Sequence, residues 1–400
     1  MKRRQFIQIM FVGLCRLVVW ANPSYPDKQD QHSQECQEGI MQPESGQIFY
    51  AFKLDIIAAA NEQYPRRDEA SMVELHNGEC LLAYANHTGG GDNDLSDIVA
   101  VKVSPEGKRV GEEWTIVRAP EGGLNAMSPA MRWLPDGRLG MVYSYRISVK
   151  EASRQFVFSE DEGHTWSGPT IVGEGKYVTG CHDRFTILSS GRFIASMHCT
   201  DDWDRHYLHV RVSRSDDAGQ SWSLSDKLEL PYVGHKYGWK GAGIESGCIE
   251  PCVAERADGS LLMTIRTAMG TQFCSESLDA GETWTSPRSM EVISPQAPAN
   301  LTRVPGSDDL LLIWTPDYDA KASLGGKRHT IVACISTDGG RSWPHSRRKA
   351  LIHDPDRVVC YPSVLYKGNE VWITLRVTEG TGMRDGRTST GLMRVPLEWF

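Results

Sequence analysis

Four copies of one short pattern, Ser-x-Asp-x-Gly-x-(Thr/Ser)-Trp, limit what this chain can fold into. They are Ser159-Asp161-Gly163-Thr165-Trp166, Ser215-Asp217-Gly219-Ser221-Trp222, Ser277-Asp279-Gly281-Thr283-Trp284 and Ser336-Asp338-Gly340-Ser342-Trp343. Each has the chemistry of a tight turn. The Asp can accept bonds from turn amides, the Gly admits φ > 0, and the Trp offers a large surface for packing between neighbouring sheets. The tryptophans return at roughly 60-residue intervals, which points to a repeat architecture.

A second repeat runs beside the first. An alternating apolar strand, a tight turn and another apolar strand recur, with turns at Asn77-Gly78, Asp136-Gly137, Ser190-Gly191, Asp258-Gly259, Gly306-Ser307-Asp308 and Gly368-Asn369. Asn-Gly and Asp-Gly between apolar runs are strong hairpin signals. The order hairpin, strand, Asp-containing turn, strand gives a four-stranded sheet per repeat, the unit of a propeller. The expected fold class is all-β, a six-bladed β-propeller of four-stranded antiparallel blades. The boxes close the second to fifth units. The first has a degenerate turn at Ser104-Pro105-Glu106-Gly107, and the sixth ends near Gly391 to Val395. The segment Ile48-Phe49-Tyr50 is expected to supply the outer strand of the last blade, which would remove free sheet edges.

The formal charge of −8, with no basic run beyond the first residues, argues against nucleic-acid binding. Lys2-Arg3-Arg4 and the apolar stretch ending at Ala21 read as a secretory signal over residues 1–21, and hence a secreted or periplasmic protein. Arg16 interrupts that stretch, which is too short to span a membrane. Residues 22–45 read as a polar linker and residues 46–400 as the propeller. Of ten cysteines, Cys15 leaves with the signal, and an odd remainder argues against a complete disulfide framework. Cys248 and Cys252 read as small buried hydrophobes, and no metal or cofactor is expected. Asn86-His87-Thr88 and Asn300-Leu301-Thr302 fit glycosylation sequons but read as ordinary loop residues.

Hairpins with Asp boxes resemble the sialidase (neuraminidase) superfamily of six-bladed propellers, over roughly residues 48–400. That resemblance implies a set of site residues. Three arginines would hold a sugar carboxylate through charge-assisted bonds: Arg66 or Arg67 in Pro65-Arg66-Arg67, Arg266 ending Leu261 to Arg266, and Arg328 before His329-Thr330-Ile331. It makes Tyr361, in Cys360-Tyr361-Pro362-Ser363, the nucleophile, and Glu250, in Glu250-Pro251, its base. A neutral phenol suits a carbon that bears a carboxylate, and sialidases are the tyrosine exception among glycosidases. A proton for the leaving oxygen would come from the loop Gly89-Gly90-Gly91-Asp92-Asn93-Asp94, from Asp92 or Asp94. The family's Arg-Ile-Pro entry is replaced here by Arg66-Arg67-Asp68-Glu69, so Glu69 is a further candidate, as is Asp183 in His182-Asp183-Arg184. The implied activity is that of a retaining exo-α-sialidase on sialylated glycans, without stable membrane insertion. The alternatives are a glycosidase or lyase on another acidic sugar, and a non-catalytic glycan-binding propeller.

Overall fold

The computed structural model describes residues 47–201, 208–230, 237–239, 242–244, 247–322, 325–384 and 386–400. The signal and linker expected over residues 1–45 lie outside them. Among the described residues every regular element is a strand except two single-turn 3₁₀ helices, His345–Arg347 and Leu397–Trp399. No described helix is long and apolar enough to cross a membrane.

Strands pair antiparallel with their sequence neighbours in consecutive runs. The first run is Arg66–Glu74, Cys80–His87, Ser96–Val103 and Arg109–Val117. The second is Asn125–Trp133, Leu139–Ser148, Glu151–Ser159 and Thr170–Ile171. The third is Phe185–Ile187, Phe193–Thr200, His209–Ser215 and Ser223–Leu224. The fourth is Ile249–Glu255, Leu261–Arg266, Thr271–Ser277 and Arg288–Ile293. Asn300–Arg303, Leu310–Trp314, Thr330–Ser336 and Lys349–His353 make the fifth. Arg357–Lys367, Glu370–Glu379 and Thr388–Pro396 make the last. The first two strands of each run meet at one of the hairpin turns read from sequence.

The last run is completed by the N-terminal strand Leu54–Ala58, whose Leu54 lies opposite Met393. The expectation for Ile48-Phe49-Tyr50 is therefore corrected. Phe49–Tyr50 pairs with Lys349–His353 at the edge of the fifth run. The aromatic pair gave a stronger strand signal than Leu54-Asp55-Ile56, but Ile57 and Ala58 bury against the first and last runs. The sequon asparagines are also corrected: Asn86 and Asn300 lie in strands and are buried.

The second strand of each run is apolar at successive positions because both its faces are covered. Leu81 and Ala83 pack toward Met131 and Met141 of the second run, while Leu82 and Tyr84 pack toward Trp372 and Leu392 of the last. Leu310, Leu312 and Trp314 meet Leu262 of the fourth run, and Leu311 and Ile313 meet Ile373 and Leu375 of the last. The period-2 alternation of a strand thus divides each sheet between two neighbours. The core is a series of clusters, each shared by two adjacent runs, with the last run meeting the first. The eight described cysteines, Cys248 and Cys252 among them, are buried free thiols.

The boxes lie between the third and fourth strands and lock each sheet to the one before. In the third run Asp217 accepts bonds from Ser221 N at 2.9 Å and Ser221 Oγ at 2.5 Å, and Ser215 Oγ accepts Gly219 N at 2.9 Å. Trp222 Nε1 donates to Gly219 O at 3.1 Å. These bonds hold the box carboxylates down at about 2. Gly219 has φ +87° and sits against the ring of Phe156 in the second run. Gly191, at a hairpin turn, has the same φ with open space around it. Gly191→Ala should therefore cost about 1 kcal/mol of backbone strain, and Gly219→Ala a further 1–3 kcal/mol for steric overlap. Urea unfolding of both variants checks this; equal costs would mean the box glycine is not a packing contact.

Candidate active site

The first strands carry a shared irregularity. Glu69, Ser128, Asp183, Glu250 and Tyr361 all have φ between 48° and 58°. In four of the five the ladder register breaks there: between Asp68 and Ser71, Met127 and Ala130, Ile249 and Cys252, and Cys360 and Ser363. Such a bulge re-aims a side chain that the pleat would otherwise send into an intersheet core. Positive φ is costly for residues with a Cβ and clusters at functional sites.

Two of these residues meet. Tyr361 Oη donates to Glu250 Oε1 at 3.1 Å, and Arg266 Nη1 donates to Tyr361 Oη at 3.2 Å and to Glu250 Oε2 at 2.5 Å. Arg266 ends the second strand of the fourth run, so its guanidinium projects from the end of the same sheet that carries Glu250. Arg328 is buried with its guanidinium carbon 5.8 Å from the Tyr361 ring centre, and donates to Gln296 O. His182 Nε2 donates to Tyr361 O at 3.2 Å, its ring 5.7 Å from the phenol ring.

The electrostatics separate base from acid. Burial pushes the Tyr361 phenol well up and Glu250 adds to it, while Arg266 and Arg328 pull it back. Burial would also raise Glu250, but Arg266, His198 and Arg328 outweigh it and hold the carboxyl below its usual range. A protonated phenol thus faces an ionised carboxylate at hydrogen-bond distance, an arrangement in which the carboxylate can accept the phenol proton.

Arg66 organises the other half. Its Nε contacts Asp68 at 2.9 Å, Nη2 contacts Glu69 at 3.1 Å, and Nη1 contacts Asp92 at 2.5 Å. Asp68 also pairs with Arg376 at 3.1 Å, and Asp92 with Arg384 at 2.9 Å. Arg376 lies opposite Cys360 in the ladder, one residue from Tyr361, so the Asp68 pair ties the Arg66 cluster to the strand bearing the phenol.

Several sequence candidates stand elsewhere. Arg67 is the next residue on the strand and points the opposite way, to Glu113 at 3.0 Å; Arg66 is the arginine beside Asp92. Asp94 folds back on its own loop, accepting Gly91 N at 2.6 Å, so Asp92 is the loop acid that reaches an arginine. Asp183 is buried under the site, bonded to Arg132 at 2.6 Å, Asn300 at 3.1 Å and Val364 N at 3.3 Å. It lines a cavity of about 530 Å³ built from the later residues of the first strands, away from Tyr361. Glu69 faces Arg66 and accepts a bond from Ser128 Oγ.

Sequence reasoning gave no role to Asp68, Ser128, His198, Arg376 or Arg384. Ser128-Pro129 opens the second run as Glu250-Pro251 and Tyr361-Pro362 open theirs, a signal that could have found Ser128. Arg384 follows the last hairpin strand in an irregular segment, where no pattern marks it. Among the described residues no His, Cys, Asp and Glu cluster could hold a metal ion.

The chain is similar to BNR-repeat proteins and sialidases. A family model described as a BNR repeat-like domain matches residues 78–373. A sialidase of Micromonospora viridifaciens is 28% identical over 289 residues, covering 65% of this chain and 42% of that protein, so the match spans less than half of the relative. The NanB sialidase of Streptococcus pneumoniae superposes with a TM-score of 0.64 at 12% identity, over 87% of this chain and 71% of that one. The sialidase of Trypanosoma rangeli, solved with the inhibitor DANA, gives 0.60 at 14% identity, over 87% and 59%. At these identities the superpositions establish a shared fold.

Burial, then Asp68, raise Glu69 to about 7. A raised carboxyl contributes stability that is fully present below its unfolded value, near 4.5, and lost as the pH rises through about 7. Glu69→Gln should remove that loss, so the variant gains on the wild type as the pH rises from about 4.5 through about 7 in denaturant titrations, most steeply midway between those values. A stability difference constant with pH would contradict it.

Proposed function

Because this chain belongs to the BNR-repeat sialidase superfamily, we propose that it is a glycoside hydrolase of exo-α-sialidase type, secreted, built as a six-bladed propeller of four-stranded blades. The observation that carries this reading is the Tyr361 hydroxyl held between Glu250 and Arg266 at 3.1 and 3.2 Å. Arg66, Arg266 and Arg328 bind the carboxylate of a terminal acidic sugar. Tyr361 Oη attacks the anomeric carbon as its proton passes to Glu250. Asp92 protonates the departing glycosidic oxygen, and the bond electrons leave with the alcohol. Water then attacks the glycosyl–tyrosine, Asp92 accepts its proton, the phenolate recovers its own from Glu250, and the sugar is released with retained configuration.

The neutral phenol avoids the repulsion that a carboxylate nucleophile would meet at a carbon bearing a carboxylate. Arg266 and Arg328 supply the positive field that stabilises the developing phenolate.

A second reading keeps the chemistry and changes the sugar. Arg66 is followed by Arg67-Asp68-Glu69 in place of the resembling family's Arg-Ile-Pro entry, and Asp68 and Glu69 both bond to its guanidinium, which favours an acidic sugar whose neighbouring substituents differ from those of N-acetylneuraminic acid.

A fluorogenic sialoside assay tests the reading. Tyr361→Phe should lose at least about 10²-fold in kcat while still folding and binding, because only a hydroxyl is removed. Glu250→Gln should be impaired through kcat. Arg328→Ala should lose about 2–5 kcal/mol of substrate binding, if the charge pair is desolvated as its burial implies. Wild-type turnover by Tyr361→Phe would overturn the assignment, and activity only on other acidic sugars would select the second reading.

A further inference from the structure

Three carboxylates share the Arg66 guanidinium, and they are not alike. Asp68 and Glu69 are buried, and each has a second partner inside the protein, Arg376 for Asp68 and Ser128 for Glu69. The Asp92 side chain is 39% exposed and comes from a loop opened by three consecutive glycines. Its second oxygen is held by Arg384, whose side chain is 50% exposed. Nη1 of the buried Arg66 is therefore the edge whose partner stands on the solvent side. A substrate carboxylate that reaches Arg66 meets another carboxylate already there.

We propose that Asp92 is the resting occupant of the carboxylate position on Arg66, that the entering carboxylate of an acidic sugar displaces it, and that the displaced Asp92 then takes up from solvent the proton it gives to the leaving group. This inference rests on the sialidase-type reading of the site.

The physical case starts from a conflict. A general acid must hold a proton at working pH. Burial would raise Asp92, but the charge of Arg66 and its hydrogen bond, then Arg384 and Arg376, hold the carboxyl far below its usual range, so the resting Asp92 is ionised. A second anion on Arg66 removes the largest of those attractions and adds repulsion, and both effects raise Asp92. Arg384 still tethers it, but half in water its field is screened. The other groups around Asp92 do not supply the proton. Arg146 and Asn125 bind its main-chain carbonyl. His87 is pushed down by burial, then by Arg66, to about 3 and is neutral, and burial raises Tyr177. Asp68 stays ionised between Arg66 and Arg376. Glu69, at about 7, is the one neighbour that titrates near neutrality, so any test must separate it.

The step balances. One proton moves from solvent to an Asp92 oxygen as the substrate anion binds. It passes to the glycosidic oxygen as the carbon–oxygen bond breaks, and Asp92 is again a carboxylate, ready to accept a proton from water in the second half-reaction.

Calorimetric titration with the carboxylate inhibitor DANA, in buffers of different ionisation enthalpy from pH 4 to 8, measures that proton directly. The wild type should take up about one proton per DANA over part of the acidic range, its affinity falling about tenfold per pH unit there and levelling above it. Glu69→Gln should keep this acidic uptake. Asp92→Asn should bind DANA without it, and at neutral pH at least as tightly as the wild type, because a neutral amide competes less for Arg66. Binding by the wild type with no proton taken up, uptake that persists in Asp92→Asn, or weaker neutral-pH binding by Asp92→Asn would each overturn the displacement. No binding by the wild type would instead overturn the sialidase-type reading, and the inference with it.

Discussion

The site depends on a backbone constraint, the left-handed residue near the start of the first strands. A regular strand here would send alternate side chains into the apolar clusters shared with its two neighbours, leaving no direction for a polar group. At Glu250 and Tyr361 the extra residue breaks the register and frees one side chain from that alternation. The strain is of order 1–3 kcal/mol at each such residue, and it persists because the strands on either side of the bulge are fixed by ladders and cores. The repeat thus supplies the same re-aimed position several times. Glu69 meets Ser128 and Glu250 meets Tyr361, while at Asp183 the position is spent on tying runs together.

Charge is divided unevenly over the site. Around Tyr361 two guanidiniums, Arg266 and Arg328, face one carboxylate, Glu250. Around Arg66 three guanidiniums, with Arg376 and Arg384, face three carboxylates, Asp68, Glu69 and Asp92. The positive excess therefore lies beside the phenol, which is where the proposed reaction would place an anionic ligand and a developing phenolate. In the balanced half all three carboxylates bond to Arg66, and two of them, Asp68 and Asp92, each bond a second guanidinium.

The all-β class and the turns were legible because their chemistry is local. Asn77-Gly78 or Asp217 to Trp222 carries its whole signal within a few residues. The edge strand differs from expectation because Phe49-Tyr50 carries the stronger local signal, and only burial against sequence-distant strands favours Leu54–Ala58. Glu250 and Tyr361, each followed by a proline in a first strand, were named from sequence, whereas Ser128, in the same setting, was not. The choice between Arg66 and Arg67 was open because a one-residue shift reverses the face, and register is set by the partner strand. Asp68 with Arg376, and Asp92 with Arg384, join the first run to the last across some 300 residues of sequence, a pairing that no local pattern encodes.

The identity of the nucleophile is tested most directly by trapping it. The Trypanosoma rangeli sialidase has been solved with 2,3-difluorosialic acid as a covalent intermediate. Incubation of this protein with that reagent, followed by proteolysis and mass spectrometry, should show one added glycosyl group on the peptide carrying Tyr361. The label should be absent from Tyr361→Phe. A label on Glu250 or Asp92, or an unchanged label in Tyr361→Phe, would contradict a tyrosine nucleophile.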